Sequence, residues 1–279
     1  MSRLARERAI AERAAREAGA IVRRYYESGV QVAEKGPDNP VTRADLEANA
    51  CIHALLTTAF PDDGWLSEET ADSSERLSRR RVWVVDPLDG TKEFIQHIPE
   101  FCVCIALVDE GCPVVAVEYN PAADRLYAAV RDEGATVNDA PARVSTTAQV
   151  ADAVVLASRS EDQRGEWKSF KPRVHVRLTG SVAFKLAELS TGVGDATFTL
   201  TPKNEWDICA GTLLVKEAGG RVTALDGTPL VFNQRDTLRS GMIASNGVLH
   251  EGLLALIAEV APPGGATAGR RRDGGRSLT

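Results

Sequence analysis

The chain has 279 residues, of which 43% are hydrophobic and 26% charged, ordinary globular material for one large domain or two small packed ones. A net charge of −6 disfavours broad binding to nucleic acid or to an anionic membrane, though it leaves room for a local basic pocket. The first twenty residues are charged throughout and no apolar run is long enough to span a membrane, so neither a signal peptide nor a membrane helix is expected.

In chain order, residues 3–28 predict an amphipathic helix with Ile10, Ala14, Ala18, Ile21 and Tyr25 on one side and Gly29 as its stop. Residues 34–45, "EKGPDNPVTRAD", read as a turn-rich loop, and a second helix is expected from about Ala44 to Ala59. "FPDDGWLSEE" turns into a short segment ending on two glutamates, and "ADSSERLSRRR" reads as an exposed loop. From Arg81 the pattern changes to short β-rich runs: "RVWVVD", "FCVCIALVDE", "PVVAVEYNP" and "RLYAAVRDEG", a meander of largely antiparallel strands. From "DAVVLASRS" onward, strands alternate with helices. "RVHVRLTG", "DATFTLT" and "GMIASN" are the expected strands. "SVAFKLAELSTG", capped by Ser181 and ended by Gly192, "DICAGTLLVKEAGG" and "GVLHEGLLALIAEV" are the expected helices. The division is residues 1–145, an α+β part with the acidic motifs; 146–261, an α/β part; and 262–279, a polar tail expected to be disordered.

Five cysteines, Cys51, Cys102, Cys104, Cys112 and Cys209, are scattered through hydrophobic segments and read as reduced core thiols of a cytoplasmic protein. Cys102 and Cys104 share a strand face, but no histidine-rich segment joins them, so structural zinc is not expected. His53 and His250 sit in apolar helices as structural residues, and His97, just past the acidic motif, is a candidate for the substrate side.

The chemistry concentrates in "WVVDPLDGTKEF". The strand should stop at Asp86, since Pro87 has no N–H for the ladder. Gly90 permits a tight turn, and "GTKEFI" can open a short helix whose start suits a phosphate, with the Thr91 hydroxyl beside it. Carboxylates for a hard cation thus stand beside a cradle for an anion. Other acids also lie at the ends of hydrophobic segments: Glu68 and Glu69 after "GWLS", Asp45 after "NPVTRA", and Asp207 after Trp206. Each has a bland reading as an Asx turn, a helix cap or a solvated acid. If they converge, two carboxylates at 4 Å repel by about 4 kcal/mol at an effective dielectric near 20, so protons or cations are required. Oxygen-only ligands favour Mg²⁺, Mn²⁺ or Ca²⁺ over zinc.

"SEE" at 67–69, "DPLDGTKEF" at 86–94 and "EWDICAG" at 205–211, in that order, resemble the inositol monophosphatase superfamily of Mg²⁺-dependent, lithium-sensitive phosphatases. "DPLDGTKEF" with "NPVTRAD" and "LSEE" looks similar to the CysQ-type 3'(2'),5'-bisphosphate nucleotidases. The resemblance, over roughly residues 5–260, implies an α/β (α+β) fold, the layered αβαβα sandwich of this superfamily. It implies two or three Mg²⁺ per site, held by Glu68, Asp86, the Leu88 carbonyl, Asp89 and Asp207. Thr91 and Asp45 would orient the attacking water, with Glu68 also catalytic. Gly90, Thr91, Gly180 and Ser181 would contact substrate, and Glu69 matches the second glutamate of the acidic pair. Many relatives are dimers, so the resemblance leaves a homodimer open, with no interface legible in the sequence.

The substrate is read from the departures. "DGTKEF" replaces the "DGTTNF" typical of inositol monophosphatases, and Leu200 stands where those enzymes carry a glutamate seven residues before the W-D aspartate. Lys203 and Arg159 could meet a second phosphate. The expected reaction is therefore removal of the 3'-phosphate of adenosine 3',5'-bisphosphate to give AMP. Inositol phosphate, fructose 1,6-bisphosphate and histidinol phosphate remain alternatives, as does a non-catalytic phospholigand binder.

Overall fold

The computed structural model describes residues 3–29, 32–36 and 39–261; the tail at 262–279 lies outside the described residues. The chain begins with α1 (Ala5–Ser28), then β1 (Val32–Gly36), β2 (Asn39–Thr42) and α2 (Arg43–Ala59). Then come β3 (Gly64–Ser67), β4 (Arg81–Asp89), α3 (Thr91–Ile95), β5 (Cys102–Asp109), β6 (Cys112–Asn120), β7 (Arg125–Val130), β8 (Gly134–Val137) and β9 (Ala140–Pro141). After a linker come β10 (Val154–Ala157), α4 (Arg159–Gln163), β11 (His175–Leu178), α5 (Val182–Ser190), β12 (Ala196–Thr199), β13 (Lys203–Asn204) and α6 (Glu205–Glu217). The last elements are β14 (Arg221–Thr223), β15 (Leu238–Arg239), β16 (Met242–Ser245) and α7 (His250–Val260).

β3 to β9 form a seven-stranded sheet in sequence order, antiparallel except for the parallel β3–β4 pair. β11-β10-β12-β16-β14 form a five-stranded mixed sheet. Alternation along β4 and β5 sends Trp83, Val85, Val103, Ile105 and Leu107 to one face, where α1 and α2 cover them. Val82, Val84, Cys102, Cys104 and Ala106 go to the other face, under α5 and α6. The same two helices also pack on the five-stranded sheet, whose far face carries α7. The order of layers is thus αβαβα, as expected. Because both sheets share the α5/α6 layer, a residue at a strand end of the first half can meet a helix start of the second.

α1 approaches the sheet through small residues: Ala11, Ala14, Ala15 and Ala18 are fully buried, and a Cβ on Gly19 would stand 2.4 Å from the Tyr119 ring. Its solvent face is laced by Arg8–Glu12, Arg13–Glu17 and Arg23–Glu27 pairs at i,i+4 spacing.

Several expectations are corrected. Residues 34–45 do not form a plain loop, because 32–36 and 39–42 pair as an antiparallel hairpin. "ADSSERLSRRR" contains a 3-10 turn at Ser74–Ser78 and buries Arg76, whose guanidinium bonds Asp72, the Asn233 side chain and the Gln234 carbonyl. That strap needs a loop more than a hundred residues away, so composition alone reads the segment as solvated. Cys112 is exposed rather than a core thiol. His53 is exposed and stands edge-on to Trp65. Short strands β9, β13, β14 and β15, of two or three residues, carry too few residues for a period-2 signal.

His250 is fully buried. Its two ring nitrogens each lie 2.9 Å from a hydroxyl, Thr223 Oγ1 and Ser245 Oγ. Burial, with Arg221 nearby, lowers its pKa to about 4. A depressed histidine contributes stability that is present above its unfolded pKa and lost as pH falls toward the folded value. Between pH 6.5 and 4.5 the wild type should therefore lose roughly 2–3 kcal/mol that a His250→Gln variant does not lose. Denaturant unfolding of both proteins at the two pH values measures the difference, and parallel losses would refute it.

Candidate active site

β4 does not stop at Asp86. It pairs with β5 through Asp86 opposite Cys104 and Asp89 opposite Cys102, so one extra residue bulges between them. Pro87 sits in that bulge, where a missing ladder N–H costs little. Asp86 Oδ1 accepts from the Leu88 N–H at 2.9 Å. The Asx turn and the site are thus the same structure. The bulge turns Asp86 and Asp89 toward the strand's end, and Gly90, at φ 95°, swings the chain into α3. A side chain at Gly90 would strain that conformation and place its Cβ 2.9 Å from the Glu100 carbonyl oxygen.

Three acids from separate segments converge here. Glu68 follows β3, Asp86 lies in β4, and Asp207 sits in the first turn of α6. One oxygen of each lies within 4.8 Å of the others. Asp86 is 1% exposed, and its Oδ2 has no hydrogen-bond partner among the described residues. Burial and then the charges of Glu68, Asp89 and Asp207 hold its carboxyl well above the usual carboxylate range. Burial and then Asp89 and Glu68 do the same to Asp207, against the pull of Lys203. An oxygen-only cluster with an orphaned buried carboxylate oxygen fits a divalent cation.

Asp89 lies beside this trio rather than in it. Its Oδ2 accepts from Ser181 Oγ and, at 2.8 Å, from the Ala183 N–H. Burial raises its pKa, and these two bonds oppose the rise. Ser181 in turn caps α5, accepting from the Phe184 N–H at 2.9 Å. Gly180 faces Glu93 and Glu100: its N–H donates to Glu100 Oε2 at 2.6 Å, and a Cβ there would lie 2.2 Å from Glu93 Cγ. Thr91 Oγ1 stands 3.2 Å from Asp45 Oδ1 and 3.1 Å from the Leu88 carbonyl oxygen. Asp45 is also N3 of α2, and its Oδ2 accepts from the N–H and hydroxyl of Thr42 at 2.8 and 2.6 Å. Capping box and Thr91 partner are therefore one residue. Burial raises the Asp45 pKa, and the Thr42 and Thr91 bonds oppose the rise.

These groups open into a cleft of about 800 Å³. Its lining includes Glu68, Asp86, Leu88, Asp89, Gly90, Thr91 and Asp207, together with Ser158, Arg159, Arg164 and Lys203. Arg159 forms a two-pronged pair with Glu100, and Arg164 holds Glu166. Gly180, Glu69 and His97 do not line the cleft. His97 is exposed beside the Tyr26 ring, which removes the substrate-side reading. Leu200 faces a small hollow lined by Trp167, Phe170 and Phe198, away from the cleft.

The sequence reading missed Glu93, Glu100, Glu161 and Lys185. "SRSE" at 158–161 does match a capping box, but Glu161 turns inward. No periodic signal marks Lys185, which falls on what looks like the polar side of α5.

The model of the inositol monophosphatase family matches residues 4–261. The chain belongs to the inositol monophosphatase family. Within it, the chain is 38% identical over 237 residues to a protein of Mesorhizobium japonicum named inositol-1-monophosphatase, covering 82% of this chain and 86% of that one. It is 35% identical over 229 residues to the Nus factor SuhB of Escherichia coli K12, with 78% and 85% covered. The solved structure of an inositol monophosphatase from Anabaena (Nostoc) sp. PCC 7120 superposes with a TM-score of 0.81 at 31% identity, covering 94% of this chain and 98% of that one. None of the three carries a CysQ name. Among the described residues, no helix is long and apolar enough to cross a membrane.

Proposed function

We propose that this inositol monophosphatase-family phosphatase is an Mg²⁺-dependent, lithium-sensitive phosphomonoesterase whose substrate carries a second anionic group, adenosine 3',5'-bisphosphate being the form its residues favour. The observation that carries this reading is that one cleft is lined both by the three-acid cluster and by Lys203, Arg159 and Arg164. Arg159 and Arg164 are engaged by Glu100 and Glu166, and Lys203 lines the cleft with its ammonium in a looser 3.8 Å pair with Glu161, the contact a ligand would displace most readily. Leu200, turned into the hydrophobic side, offers nothing to a polyol ring.

Glu68, Asp86 and Asp207, with Asp89 and the Leu88 carbonyl beside them, would hold the cations. When bound, these would offset charge on the phosphoryl oxygens and make water a stronger nucleophile. Thr91 would orient that water, its hydroxyl held by Asp45 and the Leu88 carbonyl. Asp45, its pKa already raised by burial, is placed to take a proton through Thr91. The start of α3 at Gly90-Thr91 would hold phosphoryl oxygens. The Gly180-Ser181 turn would position Asp89 and the start of α5. A cytoplasmic location and a homodimer belong to the same proposal, drawn from the family resemblance.

The names of its relatives favour a second reading, inositol 1-phosphate. Phosphate release with Mg²⁺ from adenosine 3',5'-bisphosphate, inositol 1-phosphate, fructose 1,6-bisphosphate and histidinol phosphate, each with and without lithium, separates the two. Adenosine 3',5'-bisphosphate should dominate, and Lys203→Ala should raise its KM about tenfold. Faster turnover of inositol 1-phosphate would overturn the substrate assignment and leave the acidic site standing.

A further inference from the structure

Arg76 lies on the 3-10 turn at Ser74–Ser78, downstream of Glu68; it is 2% exposed and does not line the cleft. Its guanidinium uses four of its five N–H bonds. Nε and Nη2 donate to Asp72 Oδ1 and Oδ2 at 2.7 and 2.9 Å. Nη1 donates to Asn233 Oδ1 at 2.7 Å, and Nη2 also donates to the Gln234 carbonyl at 2.9 Å. The same loop turns its backbone to Glu205: the Asn233 and Gln234 N–H groups donate to Oε2 and Oε1 at 2.6 and 3.0 Å. Glu205 is fully buried, and its own N–H donates to the Thr237 carbonyl at 2.9 Å. Leu238 and Arg239 then pair as β15 with Lys203 and Asn204 of β13. The loop at 233–239 thus wraps the residues that lead into α6 and Asp207, and Arg76 ties that loop to the segment that follows Glu68.

The three acids of the cluster are not held alike. Glu68 and Asp86 come from neighbouring strands, and the Glu68 N–H donates to the Val85 carbonyl at 3.3 Å, next to Asp86. Asp207 arrives from the other half of the chain. Packing under the sheet holds the body of α6, while its first turn is gripped by the 233–239 loop. Carboxylates this close repel, so the segments that carry them are pushed apart unless something holds them. A buried guanidinium bonded to both segments resists that push. We infer that Arg76 is a positioning residue for the cation site: acting through Asn233, Gln234 and Glu205, it holds Asp207 within reach of the ion that Glu68 and Asp86 share. It touches neither the ion nor the substrate. This rests on the proposed reading of the acidic cluster as a divalent-cation site.

The test uses the full chain and two variants. Asn233 has φ 57°, a left-handed conformation that glycine adopts without strain. Asn233→Gly therefore deletes the acceptor for Arg76 and keeps the N–H that Glu205 receives. Arg76→Lys keeps the buried charge but cannot reproduce the fork that bonds Asp72 and the loop together. Mn²⁺ binding, followed by the electron paramagnetic resonance of the free ion, reads the site without turnover. Kd for Mn²⁺ should rise about tenfold in Asn233→Gly and about tenfold to a hundredfold in Arg76→Lys. For the ester that wild type hydrolyses fastest in the panel above, half-saturating Mg²⁺ should rise by a similar factor, while kcat at saturating Mg²⁺ stays within about threefold. A merely stabilising arginine would lower the melting temperature in EDTA and leave Kd for Mn²⁺ within about twofold of wild type, and that result overturns the inference. Should Arg76→Lys fail to fold, Asn233→Gly decides by the same two readings. Wild type that takes up no Mn²⁺ would instead bring down the cation site itself, and the inference with it. The choice of substrate does not enter the Mn²⁺ titration, so an error in that assignment leaves this result standing.

Discussion

Asp86→Asn should abolish turnover and make the metal-free protein more stable. Asp86 combines burial, an oxygen without a hydrogen-bond partner and three nearby acids. In metal-free protein, a carboxyl with a raised folded pKa contributes stability that is present below its unfolded pKa and lost as pH rises through the folded value. At neutral pH its ionised form is therefore a burden on the fold. Asparagine keeps Oδ1 for the Leu88 N–H and removes the charge. A gain of about 2 kcal/mol, or a melting temperature several degrees higher, is expected without metal. With Mg²⁺ the order should reverse, because wild type gains stability from cation binding and the variant loses most of that gain. Turnover should fall about a thousandfold or more. Melting curves at pH 7.5 with EDTA and with Mg²⁺, alongside phosphate release, give all three results. A variant that melts below wild type in EDTA would show that Asp86 is held by partners other than those described.

Thr91→Val should lower kcat about a hundredfold to a thousandfold while KM moves less than about threefold. Valine matches threonine in shape, so the start of α3 and its backbone N–H groups should persist. The hydroxyl is lost, and with it the group held between Asp45 Oδ1 and the Leu88 carbonyl. A hydroxyl has one proton to donate and two lone pairs to accept with, so while its proton points to Asp45 or Leu88 it can still accept a hydrogen bond from water. Thr91→Ser should retain activity within about tenfold. Equal losses in the serine and valine variants would point to a packing role for the methyl group and against the hydroxyl.

Much of this site was legible before folding. Asp86, Asp89 and Asp207 close hydrophobic segments next to a proline, a glycine and a tryptophan, and those neighbours restrict the backbone locally. The long helices were equally plain, since α1 and α2 repeat their apolar residues over several turns. The bulge at Pro87 was missed because its geometry is set by β5, through the pairing of Asp86 with Cys104 and Asp89 with Cys102. Glu118 shows the same limit from the other side. It is fully buried because α5 and α6 cover that face of the sheet, which the run "PVVAVEYNP" does not announce.

By itself, the sequence determined the long helices and the acids that end strands and begin helices, because these depend on local backbone chemistry and on hydrophobic period, while the family and its layered fold came through the resemblance of three short motifs. Only the tertiary structure decided which acids share a point in space, with Glu68, Asp86 and Asp207 together and Asp89 turned toward Ser181. It also decided that Lys203 lines the cleft while Lys185 is buried on α5. The physical reason is that a charge is governed by what surrounds it. The neighbours of Asp86, Glu161 and Lys203 come from elements far apart in the chain and brought together by packing.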